Sequence, residues 1–485
     1  MSLRQWRNLS AAIALLPIVL EWIWKTVIHP QPWWLHYYDP ETSYFYEGLR
    51  IASGQSPFNV DNPATPLQLF SAAFSLMLGP SPLTYPRFIV AVHVFGLLLT
   101  IAGAFLLVHT LLRDAPPMLA VTAIWTWFMA PQALEYQLVW CGEILFFGFG
   151  AVALASVAGS LTNPIDRRRD LLAGATIGLL ISVKFVFVAW IAALCIAYFA
   201  ARERPIYRSA VATGSAVAAF FTATAVAWPR YPAMAHWLAR LAFNSGYYGN
   251  GRRALPRLSD VISNYARVVL TSKGWMVWLA VVVICAVATW LRGPRLARPV
   301  IVFAAAASGA VVVMAMRSPA FRYLFPVALC AVLVFAVSAP LLKTRRRETA
   351  ALALFAALLL GKAIAGDMRD HTSRIESLLP LHDKVTATVA GLAPNGVVVY
   401  GWRFPTPSFG LRINATNYAQ LGEIERRYPR EGHYNDWFRR VLLPAGATHW
   451  DVLVIDRAML SGFAQPVGRT AGHFNQYDVI LAPGR

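Results

Sequence analysis

The segment His36-Tyr37-Tyr38-Asp39-Pro40-Glu41-Thr42-Ser43-Tyr44-Phe45-Tyr46-Glu47 sets two carboxylates two residues apart among tyrosines, just after Trp33 and Trp34. A carboxylate within hydrogen-bond reach of a hydroxyl is a general base, so Asp39 or Glu41 can deprotonate an acceptor alcohol. The same residues also suit a helix start, with Asp39 as cap, Pro40 in the first position and Glu41 as a first-turn acid. On the residues alone both readings stay open. A second candidate is Asn244-Ser245-Gly246-Tyr247-Tyr248-Gly249-Asn250-Gly251-Arg252-Arg253. Its glycine-rich backbone and paired arginines can cradle a phosphate, and Tyr247 and Tyr248 can stack on a sugar; an ordinary loop has the same composition.

Other patterns carry no chemistry. Gly148-Phe149-Gly150-Ala151-Val152-Ala153 mimics a dinucleotide fingerprint but lies inside an apolar run with no strand before it, and reads as a helix-packing face. No HExxH, Walker A or GxSxG element is present. Cys141, Cys195, Cys285 and Cys330 form no CxxC pair and lie in or beside apolar runs, so neither a disulfide nor a zinc site is expected. The sequon Asn414-Ala415-Thr416 matters only in a host that glycosylates exported proteins.

The elements that must position these residues follow from composition. Of 485 residues 57% are apolar and only 14% charged, against about 25% charged in soluble domains. Lys and Arg total 43 against 24 Asp and Glu, a net charge of +19. Such a chain is too apolar for a soluble enzyme, a disordered chain or a nucleic-acid-binding domain. It reads as a polytopic α-helical membrane protein. About eleven transmembrane helices are expected near 9–28, 86–112, 117–134, 143–161, 171–185, 186–201, 209–228, 275–291, 299–316, 323–342 and 349–366. The 171–201 stretch holds two only if the chain turns near Lys184. The first span reads as an uncleaved anchor, because Glu21-Trp22-Ile23-Trp24-Lys25 offers no small-residue cleavage site.

Arg4, Arg7, Arg113, Arg167–Arg169, Arg202, Arg204, Arg208, Arg292, Arg295, Arg298, Lys343 and Arg345–Arg347 all fall in alternate, short connections. The positive-inside rule puts those connections and the N-terminus in the cytoplasm. The connections 29–85 and 229–273, and the region from 367, then lie outside the plasma (inner) membrane. Residues 1–366 are thus expected to form the transmembrane domain, and 367–485 a small extracytoplasmic (periplasmic) α/β domain. Within the latter, Val397–Tyr400, Val452–Ile455 and Val479–Leu481 read as strands and Leu421–Leu443 as helix.

With this topology the sequence resembles the GT-C superfamily of integral-membrane glycosyltransferases, of the protein mannosyltransferase and aminoarabinose transferase type. The resemblance rests on Asp39, Glu41, Tyr44, Ala52, Gly54 and Pro57, with the Pro-rich lead-in Asn62-Pro63-Ala64-Thr65-Pro66-Leu67. It continues through Cys141-Gly142-Glu143-Ile144-Leu145-Phe146-Phe147, then Gly178 to Phe185 with Lys184 before an aromatic, then Arg322-Tyr323-Leu324-Phe325-Pro326. Pro40 between the two acids departs from the commonest pattern. The resemblance covers about 39–326, and the tail has no motif to assign.

The resemblance implies a GT-C fold and transfer of a sugar from a polyprenyl-phosphate donor to a lipid, polysaccharide or protein acceptor, with inversion. Asp39 is then the favoured base, with Glu41 and Glu143 orienting acceptor, donor or a divalent ion (Mg, Mn or Ca) bound by Asp39 and Glu143. Lys184 and Arg322 would hold the lipid phosphate, with Arg317, Arg252 and Arg253 as lesser candidates, since arginine suits bidentate phosphate contacts. Tyr44, Tyr247 and Tyr248 would contact sugar or acceptor. Glu143 can equally complement a helix dipole, and Lys184 and Arg322 can be ordinary interfacial cations. The rival is a lipid or solute transporter or flippase. That reading wants internal repeats and broken midplane helices, neither of which is seen here.

Overall fold

The computed structural model describes residues 2–35, 39–58, 64–163, 166–244, 257–315, 321–401, 404–408, 411, 421–435, 440–462 and 468–483. The chain divides into two compact units, one of Met1–Trp22, Ser56–Phe70 and His93–Asp367, the other of Ile23–Gln55, Ser71–Val92 and Met368–Arg485.

The helices run in the order α1 (Leu3–Ile23), α2 (Asp39–Ala52), α3 (Thr65–Leu78), α4 (Tyr85–His109), α5 (Pro117–Phe128), α6 (Gly142–Thr162), α7 (Arg167–Val183) and α8 (Val188–Ala201). They continue with α9 (Pro205–Ala223), α10 (Tyr231–Phe243), α11 (Leu258–Thr271), α12 (Lys273–Arg292), α13 (Ala297–Met314), α14 (Phe321–Leu342) and α15 (Arg346–Leu392). A helix falls on every segment read as a span. Seven of the described helices are long and apolar enough to cross a membrane alone, or eight if one bent pair is a single span. Pro117–Phe128 and Phe185–Ala201 are apolar but shorter.

In the first unit the helices pack by shedding side chains. α7 lies against α9. A Cβ on Gly174 would come 2.0 Å from the Ala212 carbonyl oxygen, and one on Gly178 2.2 Å from that of Ala216. Small residues four apart let the backbones touch where no hydrophobic driving force separates helix from lipid. The Gly148 stretch has the same use: a Cβ there would meet the Leu99 carbonyl oxygen at 3.1 Å, and one on Gly150 the Leu329 side chain at 2.7 Å.

The chain turns where 171–201 required it. Lys184 is extended (φ −155°, ψ 129°), a short 3-10 turn spans Phe185–Phe187, and α8 follows. The span expected over 209–228 is shorter than read. Its helix stops at Ala223, and the chain bends by 83° into a second helical segment. The Thr224 hydroxyl, bonded to the Phe220 carbonyl and to Tyr231, marks the break. The connection 229–273 is largely helical, holding α10 and α11. Arg208, counted among the loop charges, is buried instead. Its guanidinium grips Asp170 at 2.9 and 3.0 Å and donates to the Ser160 carbonyl at 2.7 Å, tying α9 to α7 and α6.

The second unit holds α2, the later part of α15 and a six-stranded sheet of order β3-β2-β1-β4-β6-β5. The strands are β1 (Val398–Tyr400), β2 (Glu431–Asn435), β3 (Arg440–Leu442), β4 (Val452–Asp456), β5 (Thr470–Phe474) and β6 (Tyr477–Leu481). β1 runs parallel to β2 and β4, while the remaining pairs are antiparallel. β1, β4 and β6 are buried throughout, which is why they read as unbroken apolar runs rather than alternating ones. Val385 and Val389 of α15 pack on one face with Val452, Val454 and Val479. The Leu421–Leu443 helix is a correction: only Leu421–Arg427 (α16) is helical, and the rest contributes β2 and β3. Pro429 disfavours helix at Tyr428, and the chain then pairs alongside β1.

Candidate active site

Three residues from distant parts of the sequence converge in the first unit. Glu143 sits in the first turn of α6, Lys184 at the break between α7 and α8, and Arg322 at the start of α14. The Lys184 ammonium donates to the Glu143 carboxylate, and both side chains are buried. The same ammonium lies 4.7 Å from the centre of the Tyr323 ring and 5.7 Å from that of Phe146. Arg322 donates to the Tyr323 hydroxyl at 3.4 Å, with its guanidinium carbon 5.2 Å from the ring. Arg322 is within coulombic range of both Glu143 and Lys184.

Each position has a local cause. Cys141, extended, begins α6, so Glu143 falls where the exposed amides of a helix N-terminus favour a negative charge. Lys184 is placed by the turn that ends α7, its amide closing on the Leu180 carbonyl. Tyr136, in the turn before α6, packs edge-on against Phe325 at 5.7 Å. Burial, together with the neighbouring Cys141 and Glu143, pushes the Tyr136 hydroxyl well above the ordinary tyrosine range, against the pull of Arg322. It therefore stays a proton donor at any physiological pH.

Two cations within range of each other oppose burial, and Glu143 offsets part of that cost. The arrangement offers an ammonium, a guanidinium and phenol hydroxyls around one carboxylate, the donor set that an anionic oxygen requires. Tyr136 and Tyr323 are the members that sequence reading did not single out as site residues. Tyr323 stood within the Arg322 motif, but Tyr136 had no signal beyond its nearness to Glu143.

Asp39, Glu41 and Tyr44 occupy the first turns of α2 in the second unit. The helix start that Asp39-Pro40-Glu41 indicates is there. The Asp39 side chain lies outside the described atoms. Glu41 and Tyr44 are buried, as are Phe45, Tyr46 and Glu47. Tyr46 donates to the Leu411 carbonyl at 2.8 Å, and Phe45 packs 5.2 Å from Tyr85, so α2 is held within its own unit by its aromatic face. Arg317, Arg252, Arg253, Tyr247 and Tyr248, with Asn62-Pro63 and the Asn414 sequon, lie outside the described residues. Among the described residues no three His, Cys, Asp or Glu converge to hold a metal ion.

The apolar helical bundle with its small C-terminal sheet is a polytopic membrane protein of the GT-C fold. The match to a family model over residues 68–319, just over half the chain, gives the particular family: the chain belongs to glycosyltransferase family 87. Among solved structures it is similar to ArnT from Cupriavidus metallidurans bound to undecaprenyl phosphate, at 14% identity, with 98% of each chain covered and a TM-score of 0.56. Against the same protein in the apo state the TM-score is 0.57. The oligosaccharyltransferase from Archaeoglobus fulgidus in the apo form is similar at 14% identity over 94% of this chain and 70% of that one, with a TM-score of 0.50. Comparison with curated proteins by sequence finds no match.

Proposed function

We propose that this glycosyltransferase moves a sugar from a polyprenyl-phosphate donor to a hydroxyl acceptor on the outer face of the membrane, with inversion at the anomeric carbon. The observation that carries the reading is the Glu143–Lys184–Arg322 cluster, which brings two cations and tyrosine hydroxyls together at helix ends of an apolar bundle. A lipid-linked sugar presents an anionic phosphate at that depth, and the phosphate gains charge as it leaves. Lys184 and Arg322 stabilise that charge, and preorganised donors of this kind act most strongly where the leaving charge develops. ArnT bound to undecaprenyl phosphate shares the fold and makes a polyprenyl phosphate the natural donor class to test first.

Asp39 takes the proton from the acceptor hydroxyl as the oxygen attacks the anomeric carbon and the phosphate departs. Glu143 holds Lys184 in place between turnovers, and Glu41 helps orient the acceptor. The outward orientation rests on the alternating basic connections. The test is Asp39→Asn in membranes supplied with lipid-linked sugar. Removing a general base lowers turnover by about 10²- to 10⁴-fold. Near-wild-type turnover sinks Asp39 as the base.

A further inference from the structure

Two apolar grooves flank α12. One, of about 430 Å³, runs between α12, α14 and the start of α15. The other, of about 530 Å³, lies between α12, α13 and α14. They differ in how they end. The second is lined by apolar side chains with Ser308 and Trp290 and carries no charged residue. The first is floored by Ile284, Ala288, Leu352 and Phe355 and closes at Arg292 and Arg345, with Glu348 beside them.

We propose that the first groove binds an anionic phospholipid, one acyl chain along α12 and the headgroup phosphate at Arg292 and Arg345. Length fits: Val281 and Arg292 both line it, and eleven residues of helix span roughly 16 Å, close to the ~15 Å of one leaflet's hydrocarbon. The two hydroxyls in its wall need nothing from a ligand. Thr289 and Ser338 bond each other at 2.7 Å, and Ser338 also bonds the Val334 carbonyl. The chain-lining part is therefore apolar in effect, and polarity is confined to the rim. There Glu348 meets Arg345 only at 3.7 Å, and the adjoining Lys343, Arg346 and Arg347 are exposed. A phosphate offers the guanidinium fork a closer, bidentate partner. Charge also decides the occupant. A two-fold contact with a second copy would press like-charged rims together, whereas a phosphate neutralises them.

The experiment places the full-length protein in nanodiscs of phosphatidylcholine doped with phosphatidylglycerol or phosphatidylcholine carrying a photoreactive acyl chain, and maps the labelled peptides by mass spectrometry. The phosphatidylglycerol probe is expected to label Ile284, Ala288 and residues 351–355, which line the first groove and not the second, in clear excess over the phosphatidylcholine probe. Both probes should label 301–308, in the uncharged groove, alike. Arg292→Gln with Arg345→Gln should reduce the excess by about five-fold per arginine, the weight of one cation near an anionic lipid. Leu352→Trp should block the groove with the cations intact. Equal labelling of the first groove by both probes overturns the proposal. So does an excess that survives both sets of substitutions, or a dimer in which the groove is shielded from either lipid.

Discussion

Site and fold meet at the buried Glu143–Lys184 pair. Breaking such a pair by removing one charge leaves the other stranded, at a cost of about 3 to 5 kcal/mol. Glu143→Gln is therefore expected to lower stability by about that much while Lys184 and its aromatic neighbours remain. If Glu143 does no more than hold Lys184, the double variant Glu143→Gln with Lys184→Met should recover most of the lost stability yet stay inactive. The measurement is a thermal melt in detergent beside turnover with lipid-linked sugar. Activity in the folded double variant would remove Lys184 from the phosphate site. Lys184→Arg should not retain full turnover, because a larger, planar guanidinium replaces a compact ammonium that is buried against Glu143 and the Tyr323 ring.

At the scale of elements, α7 carries two roles on opposite features. Its end places Lys184, and its glycine face meets α9 so closely that carbonyl oxygens of Ala212 and Ala216 occupy the space of the missing side chains. Gly178→Leu is expected to push α9 away, lower the melting temperature and shift Lys184 from Glu143, so that turnover falls even though no charged group is changed. Gly214→Leu on the same pair of helices is the control, since a Cβ there meets nothing within 4 Å. Equal loss from both substitutions would mean that the close approach is not what positions Lys184. Much at this scale was legible beforehand. The helices follow the apolar runs, and β1, β4 and β6 follow the Val-rich stretches, because burial on both faces leaves a continuous signal. What could not be read was tertiary. Arg208 looks in sequence like another loop cation, and only the fold shows it gripping Asp170. The stretch 428–443 is charged and aromatic without a period, so its pairing into β2 and β3 depended on partners far along the chain. The convergence of Glu143, Lys184 and Arg322 was foreshadowed by motif order, whereas Tyr136 joins them through packing alone.

For the whole molecule the distribution of basic residues predicts an orientation by the positive-inside rule, and the prediction is two-sided. Lys343 to Arg347 lie close together with a single acid, Glu348, beside them, while the strands of the second unit follow α15 in the sequence. If the basic connections face the cytoplasm, a cysteine placed at exposed Thr470 in β5 should react with a membrane-impermeant maleimide in intact cells. One placed at exposed Thr344 should react only after permeabilisation. Substituting the four native cysteines with serine or alanine first gives a silent background. Replacing Lys343, Arg345, Arg346 and Arg347 with glutamine should then weaken the asymmetry, because insertion reads those cations and not the net charge of the chain. Labelling at Thr344 in intact cells, with Thr470 protected, would invert the topology. The Glu143–Lys184–Arg322 cluster would then have to draw its donor from the cytoplasmic leaflet.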